Sequence, residues 1–429
     1  MKRRSASLSL LQFATLGVSF IAQAVLAAKI GPGRELDSYF VSLGFSMAWV
    51  AGVSAGVSYC IPSYLGLRLE ASFPRKRACD SALYTVAVIS AILVLITVPF
   101  FILIQKHILQ SFVPKSFIFL ALFCCSTAYM SNIASVFVAT ATASGNLSRI
   151  IITNTIPPAL VLLYLLAFNT PLVVGVAIVQ TIGIFIQICV LLRLGREDFA
   201  MSYPQKRDFL KLTKLIFLAS AGALCFTGYA VVDSIIAPIL GEKVISHQAL
   251  AQRLVIAFTG VVCAGPFLLA PSFSNRMLKE NSAQKIWSFC VWSTIAMTLG
   301  CMVCAVVFSI GGTRIIGIVF ERGAFRESDT SAVTSILTIL LIGAGPMVSC
   351  AVIFRILYEL NRNISIALLS GIWLLLYTII SFLIIPLAGY LTLSVAYTVS
   401  WLLIGGYTIY HTYGVLGTHM KSVPAQNNA

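Results

Sequence analysis

The stretch GIVFERGAFRESDT, Gly317–Thr330, joins two long apolar segments and places a Glu-Arg pair between phenylalanines. The flanking segments, 286–310 and 331–358, are each long enough to cross a bilayer as a helix, which takes about 20 apolar residues. Polar residues between two such segments predict a short turn at one side of a membrane. The fold then depends on the other segments that surround this turn.

The composition of the whole chain agrees with a membrane protein. It is 59% hydrophobic and 10% charged over 429 residues, whereas soluble domains carry about 25% charged residues. The 11 cysteines show no CxxC spacing and the four histidines are scattered, so the sequence predicts neither a disulfide framework nor a metal site. Most of the surface is expected to face lipid.

Counting apolar segments predicts an all-α polytopic membrane protein with about twelve transmembrane helices in two six-helix lobes. Pro157-Pro158 predicts a kink in the fifth span, because proline removes helical hydrogen bonds. The predicted spans are 7–28, 38–65, 81–104, 117–141, 150–169, 171–193, 214–240, 249–273, 286–310, 331–358, 364–385 and 390–413.

The distribution of positive charge predicts the orientation. Most of the 29 lysine and arginine residues fall in alternate connections, beginning with the N-terminal MKRR. Because basic residues concentrate on the cytoplasmic side, both termini are predicted to be cytoplasmic. The net charge of +15 then needs no nucleic acid as partner, and the 317–330 turn lies on the outer side.

The longest inner connection, RLGREDFAMSYPQKRDFLKLTK at 193–214, separates two weakly repeated halves. FIAQAV from Phe20 in the first half resembles FTGYAV from Phe226 in the second. Two such lobes are a common transporter design, with the substrate path between them. The predicted divisions are an N-terminal lobe at 1–195, a cytoplasmic linker at 196–213, a C-terminal lobe at 214–415 and a cytoplasmic tail at 416–429.

Two ionisable side chains inside predicted spans are candidate site residues, since a buried charge in a bilayer costs a few kcal/mol. Arg253 lies in the eighth span and Asp233 in the seventh. They either bind an anionic headgroup, with Asp233 as orienter or ligand of a coupling ion, or form a structural ion pair. Gln252 and Gln248 are candidates for hydrogen bonds to sugars, or they satisfy a helix interface.

Asp37 and a glycine pair in the second span each have two interpretations. Asp37 precedes a helical segment and is either the N-cap of that helix or a gate residue at the outer mouth. Gly52 and Gly56 are four residues apart, a spacing that favours close helix packing over a thinned cavity wall. The chain carries no P-loop and no nucleophile–histidine–acid set, which indicates a protein that is not an enzyme and needs no cofactor.

FERGAF, Phe320–Phe325, followed by Thr330, resembles the signature of the MurJ/MviN lipid II flippases of the MOP exporter superfamily. IGPGRELDSYFVSL and VDSIIAPIL…ALAQRLV…APSFS are similar to other parts of that family, and the resemblance covers roughly residues 10 to 360. It implies two lobes around a cavity with alternating access, and an undecaprenyl-diphosphate-linked sugar as cargo. Asp37 matches the family's acidic residue before span two, and Arg253 matches its cavity arginine.

The chain also departs from that family, as a divergent and shortened member. Ala22 and Gln23 stand where the family has an Arg-Asp pair, and Ile256 replaces an acidic residue. The family's arginines in span two are missing, and about twelve spans replace fourteen. These changes remove most of the positive charge expected in the N-terminal lobe.

Three functions follow. The first is a flippase for lipid II or a related precursor in peptidoglycan or polysaccharide biosynthesis, driven by the membrane potential or by Na⁺ or H⁺. The second is a cation-coupled drug exporter, and the third is a non-transporting scaffold with cell-envelope biosynthesis proteins as partners. FERGAF is predicted to form a rigid outer-gate element through Phe320, Glu321, Arg322, Gly323 and Phe325, and Asp37 is a further candidate gate residue.

Overall fold

A computed structural model of the chain describes residues 2–69, 75–107, 117–143, 147–195, 199, 206–279, 282–360 and 362–422. These residues form fourteen α-helices and one short 3₁₀ turn at Gly389–Leu391, with no strand among them. The helices are α1 Lys2–Ile30, α2 Arg34–Leu69, α3 Arg75–His107, α4 Phe117–Ala143, α5 Leu147–Asn154, α6 Ile156–Ala167, α7 Val173–Gly195, α8 Lys206–Thr227, α9 Tyr229–Leu240, α10 Val244–Lys279, α11 Ala283–Phe320, α12 Glu327–Glu359, α13 Asn363–Ala388 and α14 Thr392–Ser422.

Each predicted span corresponds to one helix or to two consecutive helices, which confirms the all-α membrane architecture. Nine segments of the described chain are long and apolar enough to cross a bilayer, and the last, 363–417, runs over both α13 and α14. The fifth span, for which the prolines predicted a kink, divides into α5 and α6 at Thr155. The break in the seventh span at Gly228 was not predicted, because a single glycine is often tolerated in a helix.

The chain forms two compact units. The first comprises Met1–Ala249 and Gly317–Thr330, so it takes in the FERGAF turn. Its core packs α2, α3, α4, α7 and α8 around buried aliphatic side chains and Phe137. Asn132 of α4 accepts a hydrogen bond from Ser54 at 2.9 Å and donates one to Ser90 at 3.0 Å, which satisfies its amide within the apolar core.

The second unit comprises Leu250–Ile316 and Ser331–Ala429. Its helices α13 and α14 pack through the rings of Trp373 and Trp401, whose centroids are 4.6 Å apart. The predicted division at 195 and 214 stays a prediction, and most of the predicted linker (196–198 and 200–205) and the end of the tail (423–429) lie outside the described residues.

A stripe of small residues on α2 allows it to pack closely against α8 and α9. Gly44, Ala48, Gly52 and Gly56, here called the glycine seam, recur every four residues and lie on one helix face. A Cβ at Gly56 would approach the Ser220 hydroxyl to 2.1 Å and the Ile216 carbonyl oxygen to 2.9 Å. The Ala48 carbonyl oxygen accepts a hydrogen bond from the Thr227 hydroxyl at 2.5 Å. Gly52 and Gly56 lie close to α8, as expected for the packing role that their spacing favoured.

Candidate functional site

The FERGAF turn is the connection between α11 and α12. α11 ends at Phe320, and α12 begins at Glu327. The buried rings of Phe320 and Phe325 pack together at a centroid distance of 5.8 Å, and Phe20 of α1 meets Phe320 edge-on at 6.0 Å. The phenylalanines therefore anchor the turn against α1.

Gly323 brings the backbone of this turn against the end of α1. It has a φ of +65°, a conformation that costs other residues about 1–2 kcal/mol. A Cβ at this position would lie 2.4 Å from the Ala28 carbonyl oxygen. That oxygen accepts a hydrogen bond from the Ala324 N–H at 2.9 Å. Since the last four carbonyls of a helix have no partner within it, the turn caps the C-terminus of α1.

A second contact joins Asp37 of α2 to the start of α10. Its carboxylate accepts hydrogen bonds from the backbone N–H groups of Lys243 at 2.9 Å and Ser246 at 3.0 Å, and also from the Ser246 hydroxyl. The expectation that Asp37 is the N-cap of its own helix is wrong, because α2 already begins at Arg34. Instead, Asp37 caps a helix more than 200 residues further along the chain.

We call these two contacts the double cap, made by Ala28, Ala324, Asp37, Lys243 and Ser246. Each contact joins α1 or α2 to a segment from the second half of the sequence. The first N–H groups and the last carbonyl groups of a helix have no hydrogen-bond partner within that helix. The double cap supplies such partners to the end of α1 and to the start of α10.

Three ionisable side chains lie next to the double cap. Asp329, in the first turn of α12, accepts hydrogen bonds at the same oxygen, Oδ1, from Lys243 Nζ at 3.2 Å and from His247 Nε2 at 3.0 Å. Its other oxygen accepts the Arg326 N–H at 3.1 Å. We call Lys243, His247 and Asp329 the charged triad. Burial is the main cause that lowers the pKa of His247, while the hydrogen bond and charge of Asp329 oppose it.

The charged pair that marks the motif lies at the surface of the turn. Glu321 Oε2 accepts a hydrogen bond from the Thr330 hydroxyl at 3.4 Å, and Arg322 donates to the Ile318 carbonyl oxygen at 3.4 Å. Both side chains are exposed and bond within their own segment. An exposed ion pair joins Arg34 of α2 to Glu242, at 2.5 Å.

The predicted binding residues lie on α9 and α10. Asp233 is buried in α9, and Gln248 is buried near the start of α10, where its amide nitrogen has no hydrogen-bond partner. Gln252 and Arg253 follow on the same helix and are partly buried. Asp233 and Arg253 belong to different compact units, so their pairing stays a prediction.

The triad and the partners of Asp37 were missed by sequence reasoning. Lys243, Ser246, His247 and Asp329 stand in ordinary turn and helix-start sequences. The GEKVIS stretch before α10 carries a turn glycine, which was a usable signal of a helix start. Among the described residues, no group of three or more histidine, cysteine or acidic side chains could hold a metal ion.

A family model, lipid II flippase MurJ, matches residues 76–423, which is well over half of the chain. The chain belongs to the MurJ lipid II flippase family. The match continues past the predicted limit of the resemblance, near residue 360, and begins after α2. The helices that hold Ala22, Gln23 and Asp37 thus lie outside the region that the MurJ model matches.

Solved structures share this fold. A lipid II flippase MurJ in an inward closed conformation has a TM-score of 0.78 at 15% identity, covering 99% of this chain and 94% of that one. An inward-facing multidrug resistance MATE family transporter of the MOP superfamily has a TM-score of 0.74 at 11% identity, with 96% of each chain covered. A MOP superfamily transporter from Pyrococcus furiosus has 0.71 at 11%, covering 97% and 96%.

No protein in a curated collection matches this chain significantly. Since the structural likenesses are below 25% identity, they show the fold, and the MurJ family match carries the functional class. The protein is therefore a multi-pass membrane transporter of the flippase type.

Proposed function

We propose that this protein flips an undecaprenyl-diphosphate-linked saccharide, lipid II or a related cell-envelope precursor, from the inner to the outer leaflet of the bacterial cytoplasmic membrane. The double cap carries the proposal. Alternating access requires a closure on one side that can be broken and remade. The double cap joins the two halves of the sequence on the predicted outer side through a few directional hydrogen bonds.

The strength of this closure suits a gate. Each of its hydrogen bonds contributes about 1 kcal/mol net, so the cap as a whole is worth a few kcal/mol. A ligand shifts such an equilibrium only by its differential affinity for the two states, and a few kcal/mol are available from a large cargo. Membrane potential is a second source, since one charge moved across 100 mV is worth about 2.3 kcal/mol. Coupling to Na⁺ or H⁺ would act in the same way.

Two buried amide atoms in the first compact unit support a sugar-bearing cargo. Gln248 has an amide nitrogen without a partner, and Gln23 has an amide oxygen without one. Leaving a buried polar group unpaired costs about 1–3 kcal/mol. A saccharide hydroxyl can both donate and accept, so it would satisfy either group. Arg253 would bind the diphosphate, since its planar guanidinium donates to two phosphate oxygens at once.

Complementation tests the proposed transport. Cells depleted of their own lipid II flippase should regain growth and export of lipid-linked sugar when they express this protein. Arg253→Ala should reduce export at least tenfold, whereas Arg314→Ala, at an exposed position, should not change it. Rescue by the Arg253 variant at the native level would exclude the proposed diphosphate site.

If the protein does not rescue the depleted cells, a second measurement examines lipid-linked saccharides in the host organism. In the host organism, a deletion strain should accumulate a lipid-linked saccharide in the inner leaflet. Accumulation without rescue would identify a different glycan as cargo. Normal lipid-linked saccharides in the deletion strain would contradict the proposed function and favour a scaffold or a drug exporter.

Gln248 gives a test in which stability and transport move in opposite directions. Gln248→Leu removes an unpaired buried amide and should raise the free energy of unfolding by about 1 kcal/mol. If the amide serves the cargo, the same change should lower transport. A Gln248→Leu variant that is more stable and transports normally would show that the amide has no part in binding.

A further inference from the structure

The charged triad combines a titratable group with the closure of the predicted outer side. His247 and Lys243 both donate to Oδ1 of Asp329, and Asp329 is almost fully buried, with 2% of its side chain exposed. His247 is 10% exposed, and the Lys243 side chain is 38% exposed. A carboxylate partner requires the neutral imidazole to carry its proton on Nε2.

Lys243 connects this triad to the double cap. Its backbone N–H binds Asp37, while its ammonium group binds Asp329. Its φ is +69°, which makes it the one residue other than glycine with a positive φ in the described part of the chain. Its carbonyl oxygen accepts the His247 N–H at 2.9 Å. A change at His247 or Asp329 therefore acts on the residue that holds Asp37.

Of the other charged groups around His247, Asp37 has a pKa that burial raises, against the effect of the hydrogen bonds from Ser246 and Lys243. These other charged groups come from every element that meets here, and four of them are basic and six acidic. They are Arg34, Glu35 and Asp37 of α2, Glu242 and Lys243 before α10, Glu321, Arg322 and Arg326 of the turn, and Glu327 and Asp329 of α12.

We propose that His247 is a proton-binding site through which acid on the predicted outer side releases the double cap. A proton on His247 places a second cation against the single oxygen that Lys243 already shares. The ammonium group of Lys243 then loses part of its hold on Asp329. Lys243 no longer keeps the backbone conformation that presents its N–H to Asp37, and the closure opens.

The direction follows from linkage. Burial, helped by the positive charge of Lys243, lowers the pKa of His247 in the closed form, against the effect of Asp329. When the site opens to water, the pKa returns toward its ordinary value of about 6.5. The open form thus binds the proton more tightly, so the closed form keeps its full stability above about pH 6.5 and loses it as the pH falls.

Hydrogen–deuterium exchange tests this on the full-length protein in lipid nanodiscs without cargo. Peptides that cover 241–249 and 321–327 contain the N–H groups of the double cap. After correction for the intrinsic exchange rate, their protection should be about threefold to tenfold lower at pH 5.5 than at pH 7.5. Tenfold is about the limit for one group that titrates near 6.5 in the open form.

Substitution of histidines provides the matched control. His247→Gln should remove the pH dependence of protection, and His411→Gln in α14 should retain it. Protection that does not change with pH in the native protein would overturn the proposal. So would a pH dependence that persists in a folded His247→Gln variant.

Histidine NMR covers the case in which His247→Gln does not fold. The chain has four histidines, and ring-labelled native protein should show one that titrates below pH 6.5. Substituting the other three one at a time assigns it without changing His247. An ordinary or raised pKa at His247 would contradict the proposed direction. The proposal rests on the double cap as the gate of the proposed function, but neither measurement needs transport, so failure of flipping leaves this result intact.

Discussion

Helix α2 is held in different ways at its first turn and along the glycine seam. At its first turn, Asp37 binds the start of α10 through hydrogen bonds to a carboxylate. Further along, the glycine seam packs α2 against α8 and α9 by shape, with backbone atoms close together. The first contact depends on charge and direction, and the second depends on the absence of side chains.

The glycine seam sets the distance between α2 and α8, whereas the double cap can be either closed or open. Close packing of small residues loses its van der Waals contacts only when helices move apart along their length. A cap can be lost through one side chain or one proton. The double cap is therefore suited to switching, and the glycine seam to holding α2 and α8 together while the cap opens and closes.

The largest effect should come from Gly323→Ala. The substitution adds a strained φ and a Cβ that overlaps the Ala28 carbonyl oxygen, so the free energy of unfolding should fall by about 3 kcal/mol. Gly389→Ala is the control, because its φ of +52° is also positive but no atom lies within 4 Å of its Cβ. Denaturant titration in micelles should show a clearly smaller loss for Gly389→Ala. Equal losses would mean that the contact with Ala28 contributes nothing.

Gly56→Ala should come next, at about 2 kcal/mol, because the added Cβ overlaps Ser220 and the backbone of α8. Gly17→Ala in α1 has open space around it and should be neutral or slightly stabilising, as alanine favours helices. The same titration compares the two. A neutral Gly56→Ala would show that the seam is loosely packed.

Asp37→Ala removes the cap of α10 and should cost about 1–2 kcal/mol. Hydrogen exchange at Lys243 and Ser246 should rise, while exchange along the glycine seam should stay as in the native protein. Glu35→Ala changes an exposed carboxylate in the same turn and should leave both unchanged. If exchange rises equally in the cap and in the seam, the two regions do not act separately.

The smallest effect is expected for Arg34→Gln. Its ion pair with Glu242 is mostly exposed, with side chains 64% and 49% accessible, so its loss should cost less than about 0.5 kcal/mol. A salt titration checks this, since screening should remove the small difference. A loss near that of Asp37→Ala would show that surface charge helps to hold the cap closed.

The spans and the FERGAF turn could be predicted from the sequence, because apolar runs and turn residues are local signals. The kink in the fifth span was predicted from Pro157-Pro158 for the same reason, but not its division at Thr155. The partners of Asp37 could not be predicted, since Lys243 and Ser246 bind it with backbone N–H groups that every sequence offers. Asp37 itself was recognised, but one of its two interpretations, the N-cap of its own helix, assigned it to the wrong helix.

The contact between His247 and Asp329 could not be predicted from the sequence for a related reason. His247 and Asp329 are 82 residues apart in the chain, and each stands near a helix start where polar residues are common. Only the meeting of α10 with α12 brings them to one carboxylate oxygen. The close packing at Gly52 and Gly56 was predicted from their spacing, although the rest of the glycine seam and the helix against which it packs were not.

Cross-linking tests most directly whether opening of the double cap is required for transport. Cysteines at Arg34 and Glu242, joined by a short cleavable thiol reagent, would lock the closure. Cysteines at Lys29 and Phe168, whose native contact of 2.6 Å joins α1 to the end of α6, provide the control. We expect flipping to stop in the first pair and return on cleavage, with no effect in the second. Flipping at the native rate in the fully cross-linked first pair would contradict the account.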